Sequence, residues 1–482
     1  MPGSEVVAIR AYRQALAAGD MALASRAATV LARSGVAPPD VAILTTALAL
    51  AAGRKEPARQ ATVALAEGPL DFLTPVLAAW QAFEAGERAP LARLDETDAN
   101  PLGRRYATEH RALLLIATGE VDDGLAAVRV ALAQDPDSID LRRAAADMLA
   151  RAGRRDAARA LLASNDPLLA QERGALGKGR RGTARWATAR LLTRVAGDFA
   201  RNDLQPLVIA LTRSALVLDP QDVRARLLLA RALAGAGAMP RALATLDAIE
   251  ASGPAAELVA STRIALLAAA GQTERALADA ATLARSSGAG IDEWRTYGDL
   301  LVGTARYGQA AAAYGEAIRR AGEGAGWALY LQRGGALEQA GRWQEALPDL
   351  ERAVALAPEQ ATALNYLGYA QVERGENLAA AAELLERARA LRPDDPGIAD
   401  SLAWAYAQAG EAARALPLLE EAARSEPGDP TINDHLGDVY WRLGRRYEAR
   451  YAWRAAAIHA EDDDAARIAA KLATGLAPAA RR

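Results

Sequence analysis

Glycine recurs along this chain at steps of 33 to 35 residues, and this period constrains the fold more than any other sequence feature. Glycine ends a helix at low cost because it adopts the left-handed backbone conformation without a steric penalty. Ala305 fills one wider step, and Asp203 fills the other after about 16 extra residues. The period predicts thirteen helix–turn–helix repeats between about Glu5 and Glu461. The turn glycines are Gly19, Gly53, Gly86, Gly119, Gly153, Gly237, Gly271, Gly341, Gly375, Gly410 and Gly444.

A second pattern has the same period and concerns the contact between the two helices of each repeat. When the turn residue is numbered 15, position 8 is alanine or glycine in ten of the thirteen repeats, and position 20 is alanine in ten. Small side chains at both positions let the two backbones approach closely, because the distance between helix axes depends on the side chains at the contact. The predicted fold class is therefore all-α: a right-handed α-solenoid, or superhelix, of about thirteen repeats followed by a capping helix.

The repeats are unequal, and their differences divide the chain into five predicted segments. Residues 5–163 hold degenerate, alanine-rich repeats, of which the third, around Leu91, lacks the small residue at position 20. Residues 164–185 are rich in glycine and arginine and interrupt the period, which predicts a loop or hinge. The segments that follow are central repeats over 186–290, well-formed repeats over 291–461, and a capping helix with a tail over 462–482.

The repeat pattern is clearest near the end of the chain. One repeat there carries Leu436, Gly437, Tyr440, Gly444, Ala449 and Trp453. This spacing resembles the tetratricopeptide repeat (TPR), a helix–turn–helix unit of about 34 residues. The resemblance covers about Glu5 to Glu461 and implies a solenoid that binds other proteins.

Three strings in the last third carry a closer resemblance: NYLGY from Asn365, DSLAWA from Asp400 and INDHLGDVYWR from Ile432. They resemble a group of long bacterial TPR proteins, which includes outer-membrane lipoproteins that act as adaptors between a C-terminal-processing protease and its cell-wall hydrolase substrates. The resemblance implies an envelope location. The chain as written has no apolar leader and no cysteine, which predicts a cytoplasmic protein, or a periplasmic or outer-membrane-associated one if a leader lies upstream.

In TPR proteins the first helix of each repeat lines a concave groove, so the resemblance implies which side chains face a partner. Tyr369 and Trp404 occupy position 9 of consecutive first helices, and Trp441 lies on the same face of the next. Rigid aromatic groups beside polar ones are typical of peptide anchors, whereas packing between neighbouring repeats is the alternative. The predicted partner-binding groove consists of Asn365, Tyr369, Glu373, Asp400, Trp404, Gln408, Asp434, Asp438, Trp441 and Arg442.

The charge of this region indicates the kind of partner. Residues 361–464 contain 19 acidic and 11 basic side chains. Of the Lys, Arg and Asn clamp with which some TPR proteins grip a carboxylate, only Asn365 and Arg442 have counterparts here. We expect a protein or peptide partner that is neutral or basic and has apolar anchors. A formal net charge of −3 argues against nucleic acid, and the longest apolar run, Val41 to Ala52, is too short for a transmembrane segment.

The residues that most often carry chemistry do not form a catalytic or metal-binding motif. The three histidines lack ligand spacing, and His110 and His435 share position 6 of a first helix, which indicates a packing or surface role. The segment from Gly174 to Gly179 lacks the spacing and hydroxyl residue of a phosphate loop. The acidic run from Glu461 to Asp464 lacks the spacing of a calcium loop. The sequence predicts no enzyme activity, no metal and no cofactor.

Together these patterns predict a non-enzymatic scaffold or adaptor, which binds a partner in the concave groove mainly through its C-terminal repeats. One alternative is a structural protein that self-assembles into a homo-oligomer by burying its groove aromatics against another copy. Another is an accessory subunit of a cell-envelope machine that acts on peptidoglycan or polysaccharide. Whether residues 164–185 are a hinge or a second contact site stays open at this stage.

Overall fold

A computed structural model describes residues 5–34, 37–97, 101–136, 138–164, 166–202, 204–250 and 252–476. These residues form 27 α-helices, three short 3₁₀ helices and no strand, which confirms the predicted all-α fold. The chain divides between Leu283 and Ala284 into two compact units, which we call the N-terminal block and the C-terminal block. None of the described helices is both long enough and apolar enough to cross a lipid bilayer.

The N-terminal block contains the helices of the first eight predicted repeats and one additional helix, α10, between the fifth and sixth. Its helices are α1 (Glu5–Ala18), α2 (Met21–Ser34), α3 (Asp40–Ala51), α4 (Lys55–Leu65), α5 (Thr74–Ala85), α6 (Pro101–Thr118), α7 (Val121–Gln134), α8 (Ile139–Arg151), α9 (Arg155–Leu161), α10 (Pro167–Gly174), α11 (Ala184–Phe199), α12 (Gln205–Leu218), α13 (Val223–Gly235), α14 (Met239–Asp247), α15 (Pro254–Ala269) and α16 (Thr273–Ala284).

The C-terminal block contains five helix pairs and one final helix. Its helices are α17 (Ile291–Val302), α18 (Tyr307–Ala321), α19 (Trp327–Gln339), α20 (Trp343–Leu356), α21 (Ala361–Arg374), α22 (Leu378–Leu391), α23 (Pro396–Gln408), α24 (Ala412–Ser425), α25 (Pro430–Arg442), α26 (Arg446–His459) and α27 (Asp462–Thr474). The final helix, α27, is the predicted cap.

The turns between paired helices adopt the predicted left-handed conformation. All eleven turn glycines have positive φ, from 67° at Gly375 to 100° at Gly119. Ala305, which takes the place of a turn glycine, also has positive φ, at 55°. A left-handed conformation is unfavourable for a residue with a Cβ atom, so the repeat geometry imposes it on Ala305. The other non-glycine position, Asp203, lies outside the described residues.

Position 8 is small because the second helix of the same repeat passes directly over it. A Cβ atom added to Gly437 would lie 2.3 Å from Cδ1 of Trp453. One added to Gly334 would lie 2.8 Å from Cδ2 of Leu350. Both distances are shorter than a normal contact between carbon atoms, so close packing of each pair requires glycine at these two positions.

The third repeat has lost its second α-helix. A 3₁₀ helix, Pro90–Thr97, stands where the second helix of that repeat would be. It includes Leu91, the large residue at the position that is alanine in most repeats. The sequence therefore identified the degenerate repeat, but not the change of helix type.

The N-terminal block also closes on itself, which the repeat period did not predict. Helix α12 packs against α3, and α11 packs against α5, although several repeats separate them along the chain. Arg213 on α12 donates from Nε to the carbonyl oxygen of Leu16, at 2.8 Å. The indole rings of Trp80 and Trp186 meet edge to face, with centroids 5.8 Å apart. Helices α1 to α14 of this block therefore share one continuous core, rather than contacts between neighbouring repeats alone.

The predicted loop over residues 164–185 is part of the N-terminal block and packs against other helices of that block. The amide of Arg180 donates to the carbonyl oxygen of Asp147, at 3.2 Å. A Cβ atom added to Gly182 would lie 2.7 Å from Cζ3 of Trp80, so the backbone passes directly beside that ring. The hydroxyl of Thr183 caps the first turn of α11. The predicted hinge remains a prediction, and these contacts are what a hinge motion would have to break.

Candidate partner-binding groove

The ten predicted groove residues lie on three first helices, α21, α23 and α25, each of which contacts the next. Local sequence determines where two of these helices begin. Pro396 and Pro430 occupy the first turn, where a missing N–H costs nothing. The carboxylates of Asp395 and Asp429 accept backbone N–H groups at the two N-termini. These caps fix the start of α23 and α25 and therefore the register of the groove residues.

Trp404 lies at the centre of a buried polar cluster. Its indole ring stacks on the imidazole of His435, with centroids 4.0 Å apart and planes 10° apart. Its Nε1 donates to Oε1 of Glu373 on the preceding first helix, at 2.7 Å. Only 7% of the Trp404 side chain is exposed. The ring therefore packs between repeats, which was the alternative to an anchor role.

His435 connects this cluster to Asp400. Its Nδ1 lies 2.9 Å from Oδ1 of Asp400, and both side chains are buried. Burial lowers the pKa of His435, but the carboxylates of Asp400, Asp434 and Asp438 outweigh that effect, so the pKa lies above the usual value for histidine. Protonated imidazole is therefore stabilised between the first helices of the last two repeats.

Asp434 and Asp438 are buried and are paired with the capping helix. Lys471 Nζ donates to Oδ1 of Asp434 at 2.8 Å and to Oδ1 of Asp438 at 2.7 Å. Arg467 forms a second ion pair with Asp434. Trp453 Nε1 donates to Asp438 at 2.9 Å. The two carboxylates therefore hold α27 in place.

The capping helix occupies the place of a fourteenth first helix. His435 follows Asp400 by 35 residues, and Lys471 follows Asp434 by 37, so each basic side chain comes about one repeat after the carboxylate it meets. In both cases the carboxylate is at position 5 of a first helix, and the basic side chain comes from the next helix of the groove. The cap therefore repeats the polar contact that joins one repeat to the next.

Arg442 and Gln408 form the more open end of the site. Arg442 donates to the carbonyl oxygen of Ala407 at 2.7 Å and to Oε1 of Gln408 at 3.3 Å. Its guanidinium lies 5.2 Å from the centroid of the Trp404 ring. Both polar side chains are exposed, so each retains hydrogen-bonding capacity towards solvent or a partner.

Trp441 lies beside the capping helix. Its ring is 5.3 Å from that of Trp453, and the guanidinium of Arg446 lies 3.7 Å above it. Gly475, just after α27, packs against the same ring, because an added Cβ atom would lie 1.8 Å from its Cζ2. Trp441 is half-buried by these contacts, so one part of its surface remains open.

The remaining predicted residues belong to α21. Tyr369 is half-buried, and its burial, followed by the nearby carboxylates of Glu373 and Asp400, raises the pKa of its hydroxyl, which stays protonated. Oδ1 of Asn365 is buried and has no hydrogen-bond partner among the described residues. A buried acceptor without a partner is unusual in a folded protein.

The predicted residues fall into three groups by exposure. Glu373, Gln408 and Arg442 are exposed; Asn365, Tyr369 and Trp441 are half-buried; Asp400, Trp404, Asp434 and Asp438 are buried. The groove positions derived from the family pattern therefore include both surface residues and the buried contacts beneath them. Sequence analysis did not identify His435 and Lys471 as parts of the site. The one signal for His435 was the position it shares with His110, which is also buried.

Comparison with known proteins supports the repeat assignment. The family model described as tetratricopeptide repeat matches residues 207–257, 297–348 and 331–396. The last of these ranges includes α21 and α22 and ends at Pro396, the first residue of α23. The TPR pattern seen in the sequence is thereby confirmed over these residues, which include part of each block.

Three curated relatives are similar to part of the chain. A TPR repeat-containing protein of Pseudomonas aeruginosa is 37% identical over 19% of this chain and 15% of its own length. Cellulose synthase 2 operon protein C of Komagataeibacter xylinus is 36% identical over 36% of this chain and 13% of its own length. The Hsp70-Hsp90 organizing protein of Triticum aestivum is 33% identical over 26% and 21%, respectively. The matches thus span about a fifth or less of the length of these relatives.

Solved structures with a similar course of the chain include a tetratricopeptide repeat protein from Parabacteroides merdae. It is 14% identical, with a TM-score of 0.43 over 59% of this chain and 98% of that one. Another is YrrB, described as a TPR protein with an unusual peptide-binding site. It is 21% identical, with a TM-score of 0.31 over 36% of this chain and 89% of that one.

Proposed function

We propose that this chain, which is a tetratricopeptide-repeat protein and so has the fold of a protein-interaction scaffold, binds a partner segment in the groove of its C-terminal block. The main contact is the surface of α21, α23 and α25. The observation that supports this most directly is the placement of exposed polar and half-buried aromatic side chains over a rigid buried layer. A surface that is already ordered loses little entropy when a partner binds.

The contact residues we propose are Tyr369, Glu373, Gln408, Trp441 and Arg442, which keep part of their surface open. The buried groups beneath them, including Trp404 and Asp400, act by positioning these residues. Glu373 illustrates the division, because its Oε1 accepts from the buried Trp404 while the side chain itself is exposed.

The charges of the groove support a partner that is neutral or basic with apolar anchors. Asp434 and Asp438 are already paired with Lys471, so they are not free to hold a cation from a partner. Glu373 is exposed and is the acidic group we expect a basic side chain to meet.

A photo-crosslinking experiment on the full chain tests this proposal. A photoreactive amino acid is placed at Gln408 on α23, and in a matched control at Glu383 on α22, which is an exposed second helix. We expect a protein adduct from position 408 that Glu373→Lys weakens, and none from position 383. Equal adducts from both positions, or none from either, would contradict the groove proposal.

A second candidate function is an accessory role in a polysaccharide or cell-wall machine of the envelope. It is favoured by the 174-residue match to cellulose synthase 2 operon protein C. In that case the protein crosslinked at position 408 belongs to a polysaccharide-synthesising or cell-wall complex. We propose that the chain itself has no catalytic activity, and purified protein that hydrolysed or extended such a polymer would overturn this.

A further inference from the structure

Helix α26 has an unusual outer face. Tyr447, Ile458 and Tyr451 are 87%, 73% and 72% exposed, more than any other large hydrophobic side chain of the described residues. All three lie on one stripe of the helix, with Arg454 between Tyr451 and Ile458, because residues four, three and four positions apart share a face. Single exposed apolar residues are common on surfaces, but a stripe along one helix indicates a contact.

This stripe is separate from the face by which α26 joins the fold. Ala449, Trp453 and Ala456 are fully buried on the opposite side of the helix, and Ile468 of the capping helix packs against them. The packing of α26 is therefore complete without the outer stripe. Tyr447, Tyr451 and Ile458 do not serve the internal core, so a contact outside this chain explains them better.

We propose that the outer stripe of α26 packs antiparallel against the same stripe of a second copy of this chain. The stripe is self-complementary under a two-fold axis that passes near its middle. Tyr447 of one copy then lies opposite Ile458 of the other, so the apolar ends pair. Tyr451 lies opposite Arg454 of the second copy, which places a cation over an aromatic face. A contact of this kind uses the same patch on both copies, as symmetric dimers do.

The charges at the two ends of α26 favour this occupant and this orientation. Arg445 pairs with Glu448 in the first turn, which leaves the positive charge of Arg446 at the start of the helix. The helix is followed by the acidic run from Glu461 to Asp464, of which Asp464 pairs with Arg467. Antiparallel packing places the basic start of one copy beside the acidic run of the other. Parallel packing would place like charges together. In the antiparallel arrangement Arg450 faces Ala455, so no arginine is opposite another arginine.

An anionic membrane is the strongest rival occupant, since tyrosine and arginine are both found at membrane interfaces. The acidic run argues against it, because four carboxylates directly after the helix would be repelled by anionic lipid. A helix of 14 residues offers a small contact area. We therefore expect a weak dimer, which carries two copies of the groove and forms only at higher protein concentration. This inference does not depend on the proposed groove function.

Because the chain contains no cysteine, engineered single cysteines report the contact without background. Full-length Tyr447→Cys and Ile458→Cys are oxidised separately and as a mixture. The antiparallel contact predicts a disulfide-linked dimer in the mixture and little in either variant alone. The control mixture is Val63→Cys with Val130→Cys, two comparably exposed positions on α4 and α7. Dimer no greater than in this control, or equal dimer from a single variant, would overturn the proposal.

Sedimentation of cysteine-free variants gives an independent measurement. We expect concentration-dependent self-association of the wild type that is abolished by Ile458→Glu, since that change buries a charge at each end of the contact. Unchanged thermal unfolding of the variant shows that it still folds. Wild type that stays monomeric at all concentrations, or that binds phosphatidylglycerol vesicles through the stripe as a monomer, would reject the second copy as the occupant.

Discussion

The two blocks are built from the same repeat but hold together in different ways. In the N-terminal block, distant repeats meet, and charged groups are buried where their helices converge. In the C-terminal block, a polar side-chain contact joins the first helix of each repeat to the first helix of the next repeat. The last contact of this kind joins α25 to the capping helix. The two histidines at position 6 show the difference on a small scale. His110 accepts from Nε1 of Trp80 at 2.9 Å beside Arg190, whereas His435 is paired with Asp400.

The same position of the repeat therefore holds two histidines whose pKa values are shifted in opposite directions. Burial, followed by the charge of Arg190, holds the pKa of His110 well below its usual range. The carboxylates around His435 raise its pKa in spite of burial. A repeat motif therefore fixes where a side chain lies, whereas its neighbours from other helices determine its charge.

The largest effect is expected from breaking the ion network of the N-terminal block. Arg190 is nearly inaccessible and pairs with Glu109 at 2.9 Å and with Asp140 at 2.8 Å. Arg190→Ala removes the most buried cation from Glu109 and Asp140 and leaves them Arg194 and Arg224, so we expect a loss of about 3 kcal/mol in the free energy of unfolding, measured by urea denaturation. Arg333→Ala is the matched change in the C-terminal block, where the pair with Asp349 is more exposed.

We expect Arg333→Ala to cost less, about 1–2 kcal/mol, because Arg333 itself is 29% exposed, so water can fill its place beside the buried carboxylate of Asp349. Equal losses for the two variants would mean that the blocks do not differ in how they bury charge.

A smaller effect is expected where a helix pair is packed most closely. In Gly437→Ala the new Cβ atom would collide with the fully buried Trp453, and we expect a cost of about 1–3 kcal/mol in urea unfolding. Gly308→Ala on α18 is the control, since a Cβ atom there meets nothing within 4 Å. The control is expected to be neutral or to gain about 0.5–1 kcal/mol from helix propensity. A harmless Gly437→Ala would show that the pair can separate without penalty.

Removing the polar contact between α25 and the capping helix tests whether each helix of the C-terminal block is stabilised mainly by its immediate neighbours. In Lys471→Ala, Asp434 and Asp438 lose a cation, and we expect faster amide hydrogen exchange in α27 and α25, equivalent to about 1–2 kcal/mol. Exchange in the N-terminal block should not change. Lys55→Ala, which removes only an exposed contact with a backbone carbonyl, is the control. Faster exchange throughout the chain would contradict stabilisation by neighbouring repeats.

The smallest effect is a pH dependence with opposite signs in the two blocks. His435 has a raised folded pKa, so its stabilisation is complete below the unfolded value of about 6.5 and is lost as pH rises through the folded pKa. His110 has a lowered folded pKa, so its contribution is complete above that value and is lost as pH falls below it. Once the intrinsic pH dependence of amide exchange is divided out, lowering the pH from 8 to 6 should decrease the protection factors near α6 and increase them near α25.

His435→Gln should remove the change near α25 and leave the change near α6. The same sign of pH response in both regions would show that the neighbours of position 6 do not control its charge.

The parts of the fold that depend on local sequence could be predicted. The regular spacing of the repeats predicts the turn positions, such as Gly444, and also the turn at Ala305, where the residue is not glycine. The packing of α12 on α3 could not be predicted in this way, because a period describes neighbouring repeats and carries no information on contacts between distant ones.

The positions of the candidate residues along their helices follow from the same local pattern. The family pattern assigned Trp404 and Asp434 to first helices, and α23 and α25 are first helices, whereas their role in a partner-binding groove stays a prediction. Whether a side chain is exposed depends on the next helix, which contributes His435 over Trp404 and Lys471 over Asp434. The spacing within one repeat does not include those partners, so the burial of these two residues became visible only in the structure.

The polar contact shared by the last repeats and the cap has a consequence for how such a chain can grow. Asp400 meets the basic side chain of His435 on α25, and Asp434 meets that of Lys471 on α27. A whole repeat inserted before α27 would leave this chemistry intact, provided that its own first helix offers an acceptor at position 5 to Lys471 and a cation to Asp434. Gene duplication could then lengthen the array without a new ending, and the reach of the protein could change while its terminus stayed the same.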